Sequence, residues 1–205
     1  MTVVQTSNME QTDTKEKTSK TSNPFKNANV GDYVEFGNYP QTVNGDIQPI
    51  EWQVLAKENN KMLVISRYGL EAKRFDGSSN VWKNSEIRKW LNGDFYNKAF
   101  TVQEKYSIGS FDGDNVFLLS KEEVEKYFDN NEARNCKATD YAKKNINWVF
   151  KICYLFTAGY ICWWLRSPYV DDNNIVYVGD GRGNIVLEGV FHTCDFARPA
   201  LWINL

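Results

Sequence analysis

Histidine is nearly absent from this chain, whose 205 residues hold only His192. A metal site built from several imidazoles is therefore excluded, and any Ser/His/Asp or Cys/His mechanism would have to use this one ring. Cysteine is sparse as well. Cys136, Cys153, Cys162 and Cys194 form no C-x-x-C pair, which argues against zinc ribbons and thioredoxin-type redox motifs. Their even number leaves two disulfides and buried thiols both open, and a domain of this size does not need staples. There is no surplus of basic charge: 24 Lys and Arg stand against 26 Asp and Glu, a net charge of −2. That composition is wrong for a general nucleic-acid binder, whose phosphate contacts need a positive excess. No apolar run approaches the ~18 residues of a membrane-spanning helix. The most apolar stretch, residues 146–165, is broken by Asn147, Lys151 and Gly159. No basic segment followed by an apolar one opens the chain. The expected location is the cytoplasm, or the cell surface or exterior where an export signal has been removed.

What the chain does have is aromatic side chains: seven Trp, eleven Tyr and twelve Phe. Each buries a large area, so a substantial core is affordable for one domain. Residues 1–29 are set apart. They hold six Thr, three Ser, four Asn and a single aromatic, Phe25. Such a segment buries too little surface to offset its ordering entropy, so it reads as a flexible tail, with Val3-Val4 the one weak strand signal. The single domain is expected over residues 30–205.

Within that domain, Tyr33-Val34-Glu35-Phe36 suits a strand entering a Gly37-Asn38 turn. Residues 50–55 and 62–66 read as two further strands joined by a polar turn over 57–61. Asn84 or Ser85 can cap a helix that presents Ile87, Trp90 and Leu91, with Gly93 ending it. Thr101 with Glu104, and Ser120 with Glu123, have capping-box spacing. Residues 116–119, Val-Phe-Leu-Leu, read as a buried strand. Lysine then disappears after Lys151. Turn signals at 171–174 and 179–183 bracket short strands at 175–178 and 184–187, and a last strand spans 199–203. Strands, then short helices, then strands again indicate an α+β domain with twisted antiparallel sheets.

Five motifs in order carry a resemblance to a family. They are Phe36-Gly37-Asn38-Tyr39-Pro40-Gln41 with Ile50-Glu51-Trp52, then Trp82-x-x-Ser85-x-Ile87-Arg88-x-Trp90-Leu91-Asn92, then Phe95-Tyr96-Asn97-x-Ala99-Phe100, then Trp163-Trp164-Leu165-Arg166-Ser167-Pro168, and last Arg198-Pro199-Ala200-Leu201-Trp202-Ile203. Together they make residues 30–205 resemble the bacterial domain of unknown function 6273. The chain departs from that pattern at Tyr169, where a glycine is common, and at Ala197, where the closing motif commonly has valine. The C-terminal half is similar in pattern to C-type-lectin-like domains and to the related formylglycine-generating-enzyme fold. The resemblance thus implies a C-type-lectin-like domain serving as a ligand-binding scaffold. It also brings in variable proteins diversified by retroelements, whose binding residues lie in the C-terminal region.

The candidate site follows from composition as well. Tyr169, Asp171, Asn173, Tyr177, Asp180, Arg182, Asn184, Phe191, His192, Asp195 and Phe196 mix rigid aromatic area with adaptable polar groups, as a paratope does. Loops on a rigid scaffold are where binding usually resides. The expected partner is a protein or glycan ligand, with no nucleic acid, no membrane span, no cofactor and no metal. Trp163, Trp164 and Trp202 are assigned to the frame. Because adjacent strand residues point to opposite faces, only one of Trp163 and Trp164 should reach a given core. Arg166 and Arg198 are expected to lock loops through hydrogen bonds to backbone or a carboxylate. The oxygens of residues 171–174, and of Asp112 and Asp114, match no EF-hand spacing and read as solvated turns. His192 and Asp195 lie three apart in a loop with no nucleophile placed beside them, which favours contact roles over catalysis. The alternative is a cysteine and metal oxidase like the formylglycine-generating enzymes, drawing on Cys153, Cys162 and Cys194.

Overall fold

The computed structural model describes residues 25–144, 146 and 157–205. Residues 1–24 of the tail, its Val3-Val4 signal, and Cys153 lie outside the described residues. In chain order the strands are β1 (Tyr33–Pro40), β2 (Ile47–Glu58), β3 (Lys61–Ser66), β4 (Tyr68–Gly69), β5 (Glu71–Ala72), β6 (Ile108–Gly109), β7 (Lys137–Ala138), β8 (Trp163–Pro168), β9 (Ile175–Gly179), β10 (Ile185–Gly189), β11 (Phe196–Ala197) and β12 (Ala200–Asn204). The helices are α1 (Glu86–Trp90), α2 (Tyr96–Ala99), α3 (Val102–Ser107), α4 (Lys121–Tyr127), α5 (Asn131–Arg134) and α6 (Asp140–Lys143). One five-stranded sheet has the order β1-β2-β3-β12-β6 and is antiparallel throughout. A second runs β10-β9-β8-β11-β5, with β11 parallel to β8. The architecture is α+β, as expected from the order of elements. Among the described residues, no helix is long and apolar enough to cross a membrane.

The apolar runs explain how the two sheets are buried. Two hydrophobic cores flank the sheets, and successive residues of one strand feed alternate cores. Met62 and Val64 pack in the first, Leu63 and Ile65 in the second. Leu201 and Ile203 face the first and Ala200 the second. Trp164 joins the first, Trp163 and Leu165 the second. A strand covered on both faces reads as a continuous apolar run instead of an alternating one. Residues 116–119 do the same. Val116 and Leu118 enter one core, Phe117 and Leu119 the other. They form no full strand, however, because only Phe117 is paired, in a single bridge to Ala200.

Several local expectations are met by specific atoms. Asn59 and Asn60 both take positive φ, 50° and 59°, in the two-residue β2–β3 loop, as a primed hairpin turn requires. Thr101 and Ser120 each form the complete reciprocal capping box with Glu104 and Glu123. Ser85 caps α1 by accepting from the Arg88 amide at 3.2 Å. Two expectations need correction. Gly37-Asn38 is no turn: β1 continues through it with a bulge between Glu35 and Asn38. Gly37 has φ +68°, and a Cβ there would stand 2.5 Å from the Phe100 ring, so the glycine serves the bulge and the close ring approach. Gly93 does not end the helix either. The chain widens into a π-turn over Leu91–Phe95 and runs on into α2. Asn92 holds that turn, its side chain accepting from the Asn115 amide at 2.8 Å and donating to the Val116 carbonyl at 2.9 Å. Residues 25–28 lie against the first sheet, Phe25 meeting Phe36 edge-on at 5.6 Å.

At β5, the Tyr39 hydroxyl donates to Glu71 at 3.0 Å. Burial outweighs this bond and raises the Glu71 carboxyl above its ordinary value. The folded protein therefore holds the Glu71 proton to higher pH than the unfolded chain does. Its contribution to stability is complete below the unfolded carboxyl value and is lost as pH rises through the folded one. Glu71→Gln keeps an acceptor for Tyr39 and removes that loss. The variant is expected to be more stable than the wild type at about pH 7 and indistinguishable from it at about pH 4, checked by urea midpoints at both.

Candidate functional site

The site region is built on β8, β9 and β10. Two adjacent tryptophans anchor it from opposite faces of one strand. Both are fully buried, each in its own core, as the strand geometry anticipates. The Trp164 indole N–H donates to the Lys73 carbonyl at 2.6 Å and its ring meets Phe75. The Trp163 ring lies on Gly179, where a Cβ would come within 2.7 Å of the indole. The Arg198 guanidinium covers the same indole at 4.8 Å. Arg198 is 2% exposed and donates to the carbonyls of Ser66 and Arg134 at 3.0 and 3.3 Å. Arg166 makes a two-pronged ion pair with Glu123 at 2.5 and 2.7 Å and donates to the Leu118 carbonyl. Both arginines thus join segments distant in the chain. Trp202 is half-buried beside the second core.

A residue that sequence reasoning missed fixes the loop between β8 and β9. Asn80 is buried, and its side-chain amide donates to the carbonyls of Tyr169, Asp172 and Ile175 at 2.9–3.0 Å. Its backbone amide also donates to the Asn173 carbonyl at 2.7 Å. One amide nitrogen, sharing its two hydrogens, therefore reaches three carbonyls of a loop more than eighty residues away. A lone asparagine in a Ser-Ser-Asn run gives no sequence signal of this.

The eleven expected contact residues do not form one surface. β9 and β10 pair antiparallel from Gly179 opposite Ile185 to Ile175 opposite Gly189. Their turn and their far end are thus about 13 Å apart at ~3.3 Å per residue. Asp180, Arg182 and Asn184 belong to the turn. There Asp180 accepts from the amides of Arg182 and Asn184, each at 2.8 Å. Asn184 accepts in turn from the Asn131 side chain at 2.8 Å, docking the turn on α5. These polar side chains build the loop. Asp171 and Asn173 are exposed, and Tyr169 stands edge-on to Tyr177 at 6.2 Å. Phe191 and His192 are at the far end. Phe196 is a correction: it is fully buried in the second core, with its Cβ close to Gly69. It belongs to β11, between β8 and β5, where a side chain has sheet and core around it. Asp195 is likewise buried, at 4% exposure.

At the far end lies an open groove of about 520 Å³, lined by Asp172, Asn174, Leu187, Glu188, Phe191 and His192 among others. Leu187 and Phe191 are 42% and 56% exposed. The His192 Nδ1 is 2.9 Å from a Glu188 carboxylate oxygen, and Phe191 meets the imidazole edge-on at 5.0 Å. Beside the groove, one donor atom each from His192, Cys194 and Asp195 lie within 4.8 Å of one another. Burial, reinforced by Glu188, pushes the Asp195 carboxyl up to about 7. The Cys162 thiol is pushed up to about 12, by burial first and then by Asp195. Among the described residues no disulfide joins Cys136, Cys162 and Cys194. A larger groove of about 620 Å³ is lined by Glu35, Glu51, Asp140 and neutral side chains. It presents carboxylates beside the Tyr68 and Thr139 hydroxyls, with no sulfur or imidazole donor in its described lining, and it includes Gln41 and Glu51 of the first motif.

Residues 59–205 match a family model described as Domain of unknown function (DUF6273). No curated protein and no solved structure matches the chain.

Proposed function

The chain belongs to the DUF6273 family, and we propose that it is a non-catalytic recognition module of C-type-lectin-like fold that binds a protein ligand at the β10 edge. The observation that carries this reading is the exposure of Leu187 and Phe191 around the groove at one end of that strand. Among the described residues β10 is the outermost strand of its sheet, so its outer backbone groups are available to an extended partner segment. Aromatic and aliphatic anchors flanked by polar groups are the composition of a protein-binding hot spot. The frame behind them is rigid: two buried tryptophans and the three-carbonyl grip of Asn80 fix the loops in advance, which lowers the ordering cost of binding. A variable protein diversified in this region would have the same layout. The oxidase alternative has less support, because burial raises the Cys162 thiol, one of the three cysteines it would draw on, and so disfavours a nucleophilic thiolate there.

The test is an array carrying both proteins and glycans, probed with the full chain. Saturable binding to a protein target is the expected result. Binding to glycans alone would move the ligand to sugars, and the absence of any saturable binding would overturn the reading.

A further inference from the structure

We infer that His192, Cys194 and Asp195 form a zinc-binding site beside the groove. Their donor atoms, one imidazole nitrogen, one sulfur and one carboxylate oxygen, already lie within 4.8 Å of one another. Tetrahedral zinc holds such donors at about 2.0–2.3 Å, which places the donors roughly 3.3–3.8 Å apart. Closing the difference takes a contraction of about 1–1.5 Å at most in side chains of a single short loop. All three residues come from the four-residue segment His192-Thr193-Cys194-Asp195, just before β11.

A second observation points to a cation independently of that spacing. Asp195 is 96% buried by area, and among the described residues its Oδ2 atom has no hydrogen-bond partner. Among the described residues no lysine or arginine pairs with it, and its charged neighbour is the acidic Glu188. A buried carboxylate oxygen without a partner is costly unless a cation or a donor meets it. A divalent ion would neutralise the Cys194 thiolate and the Asp195 carboxylate together. The donor set selects the metal. Calcium and magnesium take oxygen ligands, whereas a mixed thiolate, imidazole and carboxylate set suits zinc. Glu188, 2.9 Å from the imidazole Nδ1, orients the ring from outside, in the way carboxylates orient zinc-bound histidines. As the sulfur–metal bond forms, the Cys194 thiol proton leaves to solvent, and a water would complete the four-coordinate set. The inference is independent of the identity of any protein ligand.

The test uses the full chain, reduced and stripped with a chelator, titrated with Co²⁺ and then Zn²⁺. The expected result is one metal per chain, a thiolate-to-cobalt charge-transfer band displaced by zinc, and a zinc-dependent rise in Tm. Cys194→Ser should abolish the band, and His192→Gln should weaken zinc binding by about 100-fold or more. Cys136→Ser and Cys162→Ser should keep both signals. His192 is 38% exposed at its side chain, so its replacement leaves the fold intact for the comparison. A missing band and an unmoved Tm would overturn the site. So would a band that survives Cys194→Ser, since the sulfur would then come from another cysteine, Cys153 included.

Discussion

Trp164→Ala is expected to lower the unfolding free energy by about 3–5 kcal/mol, the range for truncating a fully buried tryptophan. Trp163→Ala should cost a similar amount, although the two residues are neighbours in one strand. The first loss empties space beside Phe75 and strands the Lys73 carbonyl, which now accepts the Trp164 indole N–H at 2.6 Å. The second removes the surface on which Arg198 lies at 4.8 Å and Phe128 packs at 6.4 Å. Since the rings point into different cores, their effects should be close to additive. A cycle of Trp163→Phe, Trp164→Phe and the double variant tests this without risking collapse. The expected coupling is below about 0.5 kcal/mol, read from urea unfolding. A coupling of several times that size would mean that the two cores act through one shared cavity.

The second large effect is expected at Glu123. Its carboxylate accepts from both terminal nitrogens of Arg166, and also from the Ser120 amide at 2.8 Å as part of the cap of α4. Glu123→Ala removes the cap and leaves a partly buried guanidinium without its counter-ion, at a combined cost of about 3 kcal/mol. Arg166→Ala should cost less than the sum of its contacts suggests, because Glu123 would retain its capping role. The comparison also bears on function. Arg166 ties β8 to α4, and a slackened β8 should weaken ligand binding at β10 less than it weakens the fold.

Features set by a few neighbouring residues were legible in the sequence. The two capping boxes depend on a four-residue spacing, and the Asn59-Asn60 hairpin depends on the tolerance of asparagine for positive φ. The opposite orientations of Trp163 and Trp164 follow from strand geometry alone. What could not be read depended on partners distant in the chain. Gly37 looks like a turn residue until Phe100 is seen against it. Gly93 looks like a helix stop until Asn92 is seen tied to residues 115 and 116. Phe196 sits in a segment without a period of two, and only its pairing between β8 and β5 decides that it points inward. The same holds for the candidate site. Composition points to Phe191 and His192, and both line the groove. Asp180 and Asn184 have the same composition, yet they spend their polar groups on the turn. Cys194 joins His192 and Asp195 only through the path of the loop.

The account rests on the β10 edge and its groove being the recognition surface. The most direct measurement compares the affinity of a captured protein target for three forms of the chain. These are the wild type, a Leu187→Ser/Phe191→Ser variant, and a Val102→Ser/Tyr106→Ser control on α3, where both residues are exposed. The account predicts that the first double variant binds at least about 30-fold more weakly, a loss of roughly 2 kcal/mol, while the control binds as the wild type does. Equal affinity for all three, or a loss confined to the α3 control, would contradict it.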